Sequence, residues 1–212
     1  MARLISIGGI EALLSPPEPG RRLRPQNRLL FPDFELVLMT ALLWGGLSGL
    51  WLGLPPVQAL AGTSLLVGLV LISRVDMARY WLPDALTLPL GCLGLVWGTL
   101  TGAIPLMDQM IGAVVGFAVL AGIAALFQRV RGYAGLGGGD ARLLAALGVW
   151  IGWRGLAYAL LIAAVSALFF AGTQSLIQRT RLDLKDRLPF GPFLALGGFS
   201  VWVAARLVQG WP

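Results

Sequence analysis

Apolar runs of similar length follow one another along most of this chain, and the polar positions fall in the gaps between them. A helix that crosses a bilayer needs about 20 apolar residues, within a range of about 17–25. Residues 34–53, 57–75, 85–104, 109–128 and 156–178 meet that length. So does 190–209, although it opens on Pro189-Phe190-Gly191-Pro192. The run 141–153 is shorter, but Ala, Leu, Val, Ile and Trp dominate it. It suits a thin or tilted span or a re-entrant helix, and we count it as a span. The predicted fold is all-α: a polytopic membrane protein of about seven transmembrane helices, six clear and one short or re-entrant. Residues 1–33 hold Pro16, Pro17 and a basic cluster, without an apolar core followed by a small-residue cleavage site. They are expected to form a mostly irregular cytoplasmic tail, not a cleavable signal peptide. No internal repeat or separate soluble domain is visible, which leaves 34–212 as one transmembrane domain.

Composition agrees with lipid as the solvent. The chain is 57% hydrophobic and 12% charged, about half the usual charge of a soluble domain, ~25%. The net charge of +6 raises nucleic acid as a partner, but the basic residues sit between apolar runs and form no aromatic-interleaved patch. They read better as a topology signal, because cytoplasmic loops are rich in Lys and Arg. With the N-terminus cytoplasmic, four edges share that face. They carry Arg3, Arg21, Arg22, Arg24 and Arg28; Arg74 and Arg79; Arg129, Arg131 and Arg142; and Arg179, Arg181, Lys185 and Arg187. Of the sixteen basic residues only Arg154 and Arg206 remain for the other side. With six spans the 179–187 loop would face outward and the bias would weaken.

The chain has no histidine and one cysteine, Cys92. This excludes Ser-His-Asp and Cys-His catalysis, histidine zinc sites and Cys-x-x-Cys motifs within the chain. Carboxylates remain. Asp76 and Asp140 each lie where a very apolar segment meets a more polar one, an expensive place for a charge that serves no purpose. The spans between them go out and return, so the topology sets both on the cytoplasmic face. Asp140 follows Gly135-Leu136-Gly137-Gly138-Gly139, glycines that let the backbone turn sharply. Alone, Asp140 reads equally well as the N-cap of its helix, and Asp76 as a helix-end partner of Arg79 or Arg74. Asp84, after Leu82-Pro83, and Asp108 read as N-caps; Asp183 and Asp186 read as solvated loop residues. Trp150, Trp153, Trp202 and Trp211 fall near the predicted outer boundary, where interface anchoring accounts for them.

Four features in order then resemble the type IV prepilin peptidases, aspartic membrane proteases of the Gly-x-Gly-Asp type. They are Asp76 with Leu82-Pro83-Asp84-Ala85-Leu86-Thr87-Leu88-Pro89-Leu90; Gly137-Gly138-Gly139-Asp140-Ala141-Arg142; the spacing between the aspartates; and Leu188-Pro189-Phe190-Gly191-Pro192-Phe193. The match runs over about residues 57–209. The resemblance implies an endopeptidase of the bacterial inner membrane that cuts the short basic leader from prepilins or type II secretion pseudopilins at the cytoplasmic face. It makes Asp76 and Asp140 the catalytic pair, needing neither metal nor cofactor. Gly137, Gly139, Asp84, Gly191 and Pro192 become candidates for loop positioning or substrate binding. Many bacterial members carry a large cytoplasmic insertion with paired Cys-x-x-Cys motifs and also N-methylate the new terminus. With Cys92 alone and a few residues between the first two spans, peptidase activity without methyl transfer is expected here.

Two carboxylates held close share one proton and work as general base and general acid on water and the scissile amide. Two rivals are weaker. Presenilin-type proteases carry Tyr-Asp and Pro-Ala-Leu motifs, whereas Val75 precedes Asp76 here and Pro-Ala-Leu is absent. A small ion- or proton-coupled transporter would use both aspartates as carriers.

Overall fold

The structure, a computed structural model, describes residues 55–79, 82–132, 137–178 and 189–208. They belong to one unit, Val37–Pro212. The tail 1–33, the predicted span 34–53, the loop with Asp183 and Asp186, and Trp211 lie outside the described residues. The described elements are all helical: α1 Pro56–Arg79, α2 Asp84–Thr101, α3 Leu106–Arg131, α4 Gly138–Gln178 and α5 Gly191–Leu207.

Prolines start four of these helices. The first turn of a helix has N–H groups with no intrahelical acceptor, so a residue lacking N–H costs nothing there. Pro55 ahead of α1 accepts the N–H groups of Gln58 and Ala59 at 2.8 and 3.0 Å. Pro83 and Pro105 are the N-cap residues of α2 and α3, and Pro192 lies in the first turn of α5. That placement corrects two expectations. Neither Asp84 nor Asp108 caps its helix: each lies inside the first turn, behind a proline.

Helix α4 is not a rod. Straight, its 41 residues would run about 60 Å, twice the ~30 Å hydrocarbon core of a bilayer. Gly152 breaks it at φ 69, ψ 170, backbone that glycine adopts without a Cβ penalty. Packing shows that the chain reverses there. A Cβ on Gly198 of α5 would stand 2.5 Å from Leu147, and one on the adjacent Gly197 would stand 2.2 Å from the carbonyl oxygen of Ala159. On a straight helix Leu147 and Ala159 would be about 18 Å apart, too far for neighbouring glycines to touch both. The arm 138–151 and the arm 153–178 therefore lie antiparallel, and the predicted runs 141–153 and 156–178 map onto them.

The short arm is the centre of the bundle. Ala141, Leu143, Leu144, Ala146, Leu147, Val149, Trp150 and Ile151 are all buried. On one side α3 approaches backbone to backbone: a Cβ on Gly148 would meet the Gly112 oxygen at 2.2 Å, and one on Gly116 the Leu144 oxygen at 2.6 Å. On another side Trp150 stacks on Trp97 of α2 at 5.6 Å between ring centroids. Its Nε1 donates to the Leu90 oxygen at 2.8 Å. Trp150 and Trp202, expected at the interface, are thus core residues, 1% and 2% exposed. Trp153 is exposed and donates to Asp108 at 3.3 Å. An indole is large and apolar enough to serve either place, and hydropathy does not separate them.

The outside is as apolar as the inside. Leu100, Leu126, Leu168 and Phe169 are 64–81% exposed, large apolar side chains on three helices of the kind that a membrane covers. Among the described residues, Pro56–Arg79, Asp84–Thr101, Leu106–Val130 and Gly138–Ile177 are long and apolar enough to cross a membrane, and Gly191–Leu207 is a shorter apolar helix.

Candidate active site

Asp76 lies near the end of α1 and is 4% exposed. Its Oδ2 accepts the backbone N–H of Gly191 at 2.9 Å. Gly191 opens α5, so this N–H is one of the donors that a helix leaves without a partner, at the end where the dipole favours an anion. The side chain that satisfies α5 comes from 115 residues away. A Cβ on Gly191 would stand 2.7 Å from Asp76 Oδ2 and 3.1 Å from Cγ. Glycine is needed here so that the carboxylate can reach the backbone. Pro192 sits in the first turn beside it. Asp76 is not engaged by Arg79; it is held by a helix terminus.

Asp140 is the third residue of α4 and is 5% exposed. Its N–H donates to the Gly137 oxygen at 3.1 Å. The carboxylate is turned inward, and Oδ1 is buried without a hydrogen-bond partner among the described residues. Asp140 lies within electrostatic reach of Asp76. The helices that carry the two acids do not pack on each other; both pack on α2 and α5. The two carboxylates therefore come from helices that share no packing seam of their own.

The preceding glycines do different jobs. A Cβ on Gly139 would stand 2.6 Å from the Leu82 Cβ, so only glycine lets the start of α4 lie against the Leu82-Pro83 turn. A Cβ on Gly137 would make an ordinary 3.5 Å contact with Asp140 Oδ2, and one on Gly138 would meet open space. Asp84, half exposed, pairs with Arg142, two residues past Asp140. A pair this exposed contributes about 0–1 kcal/mol, so its use is to register the starts of α2 and α4. The structure therefore gathers Asp76, Asp140, Gly139, Asp84 and Gly191 at one end of the bundle. Among the described residues, no three His, Cys, Asp or Glu side chains cluster as a metal site would require. The Gly191 amide is the partner that sequence reasoning missed; the glycine at a proline-started helix was its only trace.

A family model described as the type IV leader peptidase family matches residues 63–172, which include both aspartates. The chain belongs to this family. Curated relatives named prepilin leader peptidase/N-methyltransferase are similar to it. The one from Burkholderia pseudomallei (strain K96243) is 44% identical over 163 residues, 74% of this chain and 49% of the relative. The one from Aeromonas hydrophila is 40% identical over 136 residues, covering 64% and 45%. The one from Dickeya chrysanthemi is 37% identical over 184 residues, covering 85% and 62%. The chain thus spans about half the length of the first two relatives. No solved structure matches the chain.

Proposed function

We propose that this chain is an aspartic endopeptidase of the bacterial inner membrane that removes the short basic leader of type IV prepilins or type II secretion pseudopilins. The observation that carries the reading is the meeting of two buried aspartates, from two helices that do not touch, at one end of an apolar bundle. Membership of the leader peptidase family supports the substrate class. The topology proposed with it has about seven spans and a cytoplasmic N-terminus, so that Asp76 and Asp140 open to the cytoplasmic face.

In this reading the extended peptide at the leader junction enters between α1 and α4. The ionised member of the pair takes a proton from water as the water oxygen attacks the scissile carbonyl. The protonated member hydrogen-bonds the carbonyl oxygen, then helps protonate the leaving amine as the C–N bond breaks. The pair titrates as a unit, and no microscopic assignment is made. The Gly191 N–H holds Asp76 in place, and in this reading the buried, unpartnered Asp140 Oδ1 meets the reactant once the peptide has opened the site.

Purified protein and a matched prepilin test this on a gel that resolves leader removal. Asp76→Asn and Asp140→Asn are each expected to lower cleavage by at least about 100-fold, the scale of general acid–base catalysis, with membrane insertion intact. Cleavage at the wild-type rate by either variant would sink the dyad. Loss of ion or proton flux without any peptide cleavage would favour the transporter alternative. Gly139→Val is expected to lower cleavage strongly and Gly137→Ala only weakly, because only the first collides with Leu82; equal effects would show that loop freedom, not packing, is what the glycines supply.

A further inference from the structure

The far end of the bundle holds a cation that nothing in the dyad explains. Arg206 lies in the last turn of α5, fifteen residues and about 22 Å of helix from Gly191. Its guanidinium carbon stands 4.7 Å from the Trp97 ring centroid and 4.2 Å from that of Trp202. The rings hold the charge from two sides, as cation–π contacts do. One N–H donates to the Trp202 oxygen at 3.1 Å. A guanidinium has five N–H donors, and among the described residues no carboxylate pairs with Arg206. Asp108, at the start of α3, accepts from the Trp153 indole at 3.3 Å.

Two further donors belong to the same cluster. Trp97 and Trp202 are 8% and 2% exposed, and the Nε1–H of each is buried without a hydrogen-bond partner among the described residues. A buried donor normally finds an acceptor, and a partly buried cation normally finds an anion. Among the described residues this cluster holds a guanidinium with no carboxylate partner and two indole N–H groups with no acceptor. We propose that Arg206, Trp97 and Trp202 form an anion subsite for a phosphate group. Its place at the end of a bundle clothed in apolar side chains makes a phospholipid headgroup the source that fits. Arginine and N–H donors together match the several oxygens of a phosphate. Such a lipid would tie α2 to α5 from the side opposite the aspartates.

The test uses the full chain in mild detergent, with native mass spectrometry and the thermal unfolding midpoint as readouts. The probes are dioleoyl phosphatidylglycerol, dioleoylglycerol without phosphate, and inorganic phosphate. Phosphatidylglycerol is expected to stay bound and raise the midpoint, and dioleoylglycerol to do neither. Arg206→Gln is expected to weaken retention at least about tenfold, the loss of a charge-assisted hydrogen bond, with Arg206→Lys between. The double variant Trp97→Phe and Trp202→Phe keeps a smaller aromatic face at each place and removes both donors, so it decides the matter should Arg206→Gln fail to fold. Stabilisation by inorganic phosphate equal to that by the lipid, and lost in Arg206→Gln, would support the subsite with free phosphate as its source. Phosphatidylglycerol retention unchanged in Arg206→Gln and in the double variant, or stabilisation by dioleoylglycerol equal to that by phosphatidylglycerol, would overturn the proposal.

Discussion

The two arms of α4 share one run of sequence and one hydropathy, yet they live in opposite surroundings. The arm 138–151 is walled in by α2, α3 and α5, and nearly every side chain on it is buried. The arm 153–178 buries Leu156, Ala159 and Ala163 but turns Leu161, Val165, Leu168 and Phe169 outward. A helix apolar all round is a central one, or one in lipid; here the same helix is both in turn. The difference teaches that the shortest apolar run is the structural axis. It runs from Gly138, with Asp140 in its first turn, to the break at Gly152.

Substitutions can break or sharpen that contrast. The largest effect is expected from Gly148→Leu on the central arm. Its Cβ would stand 2.2 Å from the Gly112 oxygen and 2.4 Å from the carbonyl carbon, backbone atoms that cannot swing aside. Loss of a monodisperse folded species on size exclusion in detergent is the expected outcome, and a native elution profile would show that α3 and the arm are less tightly joined than described. Next, Leu147→Ala removes a side chain of 0% exposure and should cost about 2–5 kcal/mol, read as a lowered unfolding midpoint. The smallest effect is expected from Leu168→Ala on the outer arm, 73% exposed, within about 0.5 kcal/mol. Equal costs for the two leucines would erase the distinction between the arms.

Much of the candidate site was legible in the sequence. Asp76 and Asp140 stand out because a carboxylate at the border of an apolar run is costly, and charge bias along the chain places both at one end. Their surroundings were not legible. Asp84 resembled an N-cap, but Pro83 took that position and Arg142 took the carboxylate. Trp150 and Trp202 resembled interface anchors, but Trp150 stacks on Trp97 and bonds to Leu90, and Trp202 packs tilted against Trp97, all contacts between residues far apart in sequence. Gly191 was visible as part of a motif, while its role as the partner of Asp76 depended on a contact between the two ends of the domain.

The sequence by itself determined where the helices run. In lipid each backbone group must find its partner within its own segment, so helix formation is a local property that hydropathy and proline placement reveal. Tertiary structure alone decided which helix is central, that the chain turns back at Gly152, and that the amide opening α5 holds Asp76. Those outcomes depend on backbone approaches of a few ångströms between distant segments, permitted by glycines at Gly112, Gly148, Gly191 and Gly197. A glycine in a sequence shows that room was left there; only the folded chain shows which neighbour uses it.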